Sequence, residues 1–182
     1  MNSMPDVKQR LNRRINIGEV CDIVARTSDS VRDLELLFDL AKSGNDIIGR
    51  NALWCLTHCI KAHGAWLQSK QDELIDMLLS EEQLGRRRML LGILRYQSYD
   101  KDCMRTDFLD YCLSRINAEC EPYAIRCYSI YCAFKMCRLY PELIAELEEH
   151  LAMLDYQPLG AGLRSAAATT RRMIGRLKAT RM

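Results

Sequence analysis

The sequence predicts an all-α protein, a right-handed α-solenoid of about four and a half stacked helix pairs, with about nine helices. Three observations predict it. Apolar residues recur at helical spacing throughout, with no sustained period-2 alternation. Chain-breaking residues are sparse, with nine Gly and four Pro among 182 residues. The chain also repeats itself every 38 residues: Arg50, Arg88, Arg126 and Arg164 form one column, Leu37, Ile75, Leu113 and Leu151 a second, and Leu40, Leu78, Ile116 and Leu154 a third. The two apolar columns stand three residues apart, on one face of a helix. Two and six positions past each arginine come Ala52, Leu90, Tyr128, Ala166 and Leu56, Leu94, Cys132, Thr170. Units copied at fixed period, each burying its neighbour's apolar face, are the signature of a helical solenoid.

The elements follow in order. An opening helix over 7–26 shares the register of the second helices and caps the array. Helix-pair repeats then span 30–62, 66–98, 103–138 and 141–178, all within one domain over 1–182. The segment "SGND" divides the first pair, with Gly44 suited to a C′ position and Asp46 to the next helix start. Gly64 in "HGAW" separates the first pair from the second. Pro141 fits a first helical turn, and "DYQPLGAG" over 155–162 breaks the last pair.

Composition excludes several classes. Nine cysteines lie mostly inside apolar helical patterns, which fits reduced, buried thiols in a cytoplasmic protein rather than a disulfide scaffold. The N-terminal "MNSMPDVKQRLNRR" has no apolar h-region, and no run of 18 apolar residues predicts a membrane span. Nucleophile-elbow, P-loop, dinucleotide and zinc-protease motifs are missing. Cys55, His58, Cys59 and His63 have the spacing of soft ligands on one helix, but Cys59 sits in an apolar position and reads as core. No catalytic residue, metal or cofactor is expected.

The pattern "NDIIGRNALWCL" resembles the second helix of a HEAT repeat, as does "GLRSAAATTRRMI" over 162–174; "YAIRCYSIYC" over 123–132 is a weaker copy. The resemblance covers about residues 30–178. It departs from the family in its short period and in the acidic turn residue, which is present only as Asp46 while Leu84, Pro122 and Gly160 take the matching places; an armadillo-type layer is the nearest rival. The resemblance implies that second helices line a concave side. It also implies a structural role for the column Arg50, Arg88, Arg126 and Arg164, each pairing with an acid near a turn to hold units in register.

Charge divides between the two helix sets. The second helices with their flanks carry fifteen Lys and Arg against four acids, the first helices five against fourteen. The formal net charge of +2 conceals this asymmetry. Arg86, Arg87, Arg95, Tyr96, Arg171, Arg172, Trp54 and His58 are therefore the expected contact residues of a basic concave face. Either a solvated helix face or a specific site accounts for them, and Trp54 and Phe134 fit the core equally well. The expected function is a non-enzymatic scaffold that binds an acidic partner, either a protein segment or a nucleic-acid backbone. The alternative, resembling alkylpurine DNA glycosylases built from HEAT-like repeats, needs a groove acid, for which Glu19 is the one candidate.

Overall fold

A computed structural model describes residues 4–27, 30–43 and 46–181. The described residues form α-helices, with one short 3₁₀ turn and no strand: α1 (Met4–Leu11), α2 (Ile17–Thr27), α3 (Val31–Lys42), α4 (Asp46–Ser69), α5 (Gln71–Leu79), α6 (Leu84–Leu94), α7 (Thr106–Ile116), α8 (Tyr123–Cys137), α9 (Pro141–Met153) and α10 (Ala161–Arg181). They gather into two compact units, Met1–Glu81 and Glu82–Met182. The expected pair over 66–98 thus has one helix in each unit.

The periodic columns are what build both cores. Leu37, Ile75, Leu113, Leu151, Leu40, Leu78, Ile116 and Leu154 are all buried. So are Ala52, Leu90, Ala166, Leu56, Leu94, Cys132 and Thr170; Tyr128 alone in those columns is half-buried. In the first unit α4 packs against α3, α2 and α1; in the second, α8 is the central helix, flanked by α7, α10, α6 and α9.

Two helix boundaries differ from expectation. The helix expected over 7–26 is two helices. Asn16 and Glu19 form a reciprocal capping box: Asn16 Oδ1 accepts from the Glu19 N–H at 3.1 Å, and Glu19 Oε2 accepts from the Asn16 N–H at 3.1 Å. That box opens a new helix at Ile17. Conversely, α4 runs through the expected break at Gly64; the deviation lies one residue earlier, at His63, with φ −125° and ψ 31°. The next interruption is Lys70, after which α5 begins. Pro141 is at the start of α9, as its fixed φ favours. Gly44, expected at a C′ position, lies outside the described residues.

Helix ends are tied down by side chains. In the first unit Asn51 of α4 donates to the carbonyls of Leu11 at 2.9 Å and Arg13 at 2.8 Å, where α1 ends. In the second, Lys135 of α8 donates to the carbonyls of Arg95 at 2.6 Å and Gln97 at 2.8 Å, just past α6. A helix leaves its last carbonyls without intrahelical donors, and these side chains supply them.

Candidate interaction surface

The arginine column does not behave as one set. Arg50, Arg88 and Arg164 are exposed, whereas Arg126 is 2 % exposed. Arg126 Nε donates to the Ile116 carbonyl at 2.9 Å, at the end of α7, and its terminal nitrogen bonds Gln157 Oε1 in the turn before α10. Gln157 in turn reaches the Asn117 carbonyl. A cation at a helix C-terminus is favoured by both the free carbonyl and the macrodipole. Here the arginine meets a carbonyl and an amide, not an acid.

The helix face that contains each column arginine, at positions 0, +4, +7, +8 and +11 from it, also changes its surroundings between helices. On α8 the positions Arg126, Ile130, Ala133, Phe134 and Cys137 are all buried, because neighbours surround the central helix. Phe134 is therefore a core residue. The corresponding positions of α10, Arg164, Ala168, Arg171, Arg172 and Gly175, are all exposed.

The expected contact residues separate by environment. Arg86 is buried: with Leu90 and Ile93 it lies at i, i+4 and i+7 on the inward face of α6, where its methylene stem packs. Arg87 donates to Glu121 Oε1 at 3.0 Å, and Arg115 approaches the same oxygen at 3.4 Å. The Glu121 side chain is only 4 % exposed, so one interior carboxylate serves two guanidinium groups from α6 and α7. Arg95 is stacked on two rings, 4.5 Å from the Tyr96 centroid and 4.3 Å from that of Tyr128, and donates to Tyr96 Oη at 2.6 Å. Tyr96 itself is 59 % exposed. Arg171 holds both Asp155 oxygens, at 2.8 and 2.9 Å, and the Leu151 carbonyl at 2.6 Å. Arg172 is exposed and makes a 3.2 Å contact with Thr169 Oγ1 within its own helix. In the first unit, half-buried Trp54 packs edge-on against exposed His58, with centroids 6.4 Å apart.

Two lysines of the first unit are engaged differently. Lys42 Nζ lies 2.9 Å from Glu73 and Lys70 Nζ 2.9 Å from Glu35, and both ammonium groups sit over the Phe38 ring. Trp66 meets Phe38 edge-on and donates to Glu35. The hydrogen bond from Lys42 holds the Glu73 carboxyl below its usual range, and the pairs raise both lysines.

Cys55 and Cys59 are buried in the first unit and His58 is exposed; among the described residues no group of three His, Cys, Asp or Glu is placed to hold a metal ion. Desolvation pushes the Cys55 thiol up to about 12 and that of Cys59 to about 11, so both remain neutral packing groups at physiological pH. Glu19 caps α2 and pairs with Arg13, and its hydrogen bond from the Asn16 amide lowers its pKa. Its carboxylate is thus committed to the start of a helix. No helix among the described residues is long and apolar enough to cross a membrane.

Three residues escaped the sequence reading: Asn51, Lys135 and Glu121. Only Glu121 carried a signal, as the lone acid in the segment 121–138. It is a counter-ion shared by Arg87 and Arg115.

A family model described as a HEAT repeat domain matches residues 7–174. The chain matches no curated protein and no solved structure.

Proposed function

The chain belongs to the HEAT repeat family, and from that premise we propose that it is a non-enzymatic interaction module whose second unit receives an acidic partner, a protein segment or a nucleic-acid backbone. HEAT repeats generally serve as protein-interaction scaffolds. One observation carries the finer reading. Helices α6, α8 and α10 contain no Asp or Glu, while Arg88, Arg164, Arg172 and Arg176 are exposed and have no ion pair among the described residues. Among the α-helices of this unit, α7 and α9 are the ones that contain acids, with Glu142, Glu146 and Glu149 on the surface of α9. An anionic ligand is attracted to one set of helices and repelled by the other, which orients it as well as binding it.

Tyr96, poised on Arg95 just past the end of α6, adds an exposed aromatic to this unit, a residue type favoured at contact hot spots. Trp54 and His58 form the corresponding contact point of the first unit. Arg86 supports the surface from within, and Arg87 and Arg171 are held in it by Glu121 and Asp155.

Fluorescence anisotropy with a labelled polyglutamate peptide and with a labelled DNA duplex, each at two salt concentrations, tests the proposal. Binding of at least one polyanion, weakened by salt, is the expected result. Failure of both at low salt removes the acidic-partner reading and leaves a scaffold whose partner is recognised by other means.

A further inference from the structure

The two sides of α10 differ in how their cations are neutralised. Towards α9, Arg171 is held by Asp155 and Lys178 by Glu148, the latter at 2.7 Å. Arg164, two turns before Arg171 at the edge of that side, and Arg172 and Arg176, turned away from it, are exposed and meet no carboxylate among the described residues. At 100° per residue these three fall within one third of the helix circumference, and at 1.5 Å rise they span about 18 Å. Between them lie Ser165, Ala168 and Gly175, all exposed and all short. Long guanidinium arms therefore project past a low surface, and a partner can approach the helix backbone.

Resting on the reading of the second unit as a basic face, we propose that this outward stripe of α10 grips the phosphate backbone of a nucleic-acid duplex. Charge is the only handle the stripe offers. None of its own residues carries an aromatic ring on which an unpaired base could stack, as single-strand binding requires, and the exposed ring of Tyr123, against Gly160, stands at its N-terminal end alone. It also exposes no large apolar side chain, so an acidic protein segment finds no anchor. Planar guanidinium groups on a rigid helix suit a fixed array of phosphates, which each can bind through two parallel hydrogen bonds. Recognition is independent of base sequence, because phosphate contacts position a duplex without reading it. The exposed acids of α9 close off the adjacent side.

The test is anisotropy of the full chain with a short, mixed-sequence, fluorescein-labelled DNA duplex between about 50 and 200 mM salt. Three phosphate contacts give a slope of log K against log salt of about −2.7, which is about a 40-fold loss of affinity over that range. The triple substitution Arg164→Gln, Arg172→Gln and Arg176→Gln brings the slope near zero with an unchanged Tm. Each single substitution removes about 0.9 from the slope, which keeps the measurement decisive if the triple variant folds poorly. Arg171→Gln leaves the slope unaltered. An unlabelled polyglutamate peptide or single strand of matched charge competes less well than unlabelled duplex. The inference is overturned if the duplex does not bind, if the triple variant keeps the wild-type slope, or if either competitor is the better one. Binding of polyglutamate without duplex sinks this inference alone; binding of neither sinks the acidic-partner reading with it.

Discussion

The same repeat position holds Arg50 in the first unit and Arg126 in the second, yet one is in solvent and the other is buried. The two units still solve the same problem, a helix C-terminus with carbonyls to satisfy. The first uses Asn51, the neighbour of Arg50, on the end of α1; the second uses Arg126 on the end of α7. A residue's role in a repeat thus follows from which helix end its tip can reach, not from its column. The units differ likewise in their cations. Lys42 and Lys70 are held by Glu73, Glu35 and the Phe38 ring, while exposed cations without an ion pair among the described residues occur in both units, Arg50 in the first and Arg88, Arg164, Arg172 and Arg176 in the second; the second unit differs in that its helices α6, α8 and α10 contain no acid.

Substitution along the column sharpens this contrast most. Arg126→Ala costs about 3 to 5 kcal/mol in urea denaturation, since it leaves a cavity and an orphaned carbonyl. Arg50→Ala and Arg164→Ala stay within about 0.5 kcal/mol, as exposed substitutions do. Equal costs for all four positions would mean that the column is a uniform structural lock. Next in size is Glu121→Gln, expected to lose about 2 kcal/mol because two guanidinium groups lose one carboxylate. The loss is limited because Arg87 and Arg115 remain 20 % and 32 % exposed. A calorimetric Tm indistinguishable from wild type would show that water replaces this counter-ion fully.

The smallest effect belongs to the lysine network of the first unit. Glu73 has a folded pKa below its ordinary 4.5, so its contribution is present above that value and is lost as pH falls through the folded value. Its side chain and that of Lys42 are 44 % and 38 % exposed, and solvent screening keeps the contribution under about 0.5 kcal/mol. Acid titration followed by hydrogen exchange on α3 and α5 should register a slight loosening. A large cooperative transition in this range would place the controlling carboxylate elsewhere.

Much of the fold was legible because repetition makes core residues periodic: Leu37, Ile75, Leu113 and Leu151 announce their burial by recurring. The charge division between helix sets was legible for the same reason. The break between α1 and α2 was written in "NIGE", Asn16 to Glu19, and in the five-residue step from Ile15 to Val20, which turns the apolar face by about 140° and departs from helical spacing. Asn51, Lys135 and Glu121 were hidden because their partners are helix ends or distant guanidinium groups, which only tertiary packing brings near. The same limit applied to the arginines. Sequence distinguishes a basic helix from an acidic one, but Arg171 and Arg172 separate only when Asp155 is seen beside one of them.

Hydrogen–deuterium exchange of the whole chain, with and without a saturating DNA duplex at low salt, tests most directly the claim that the second unit carries the binding face. The account predicts slowed exchange strongest along α10, extending to α6 and α8, with α4 unchanged apart from the turn that holds Trp54 and His58. Protection centred on α4, or on the acidic helices α7 and α9, would contradict it.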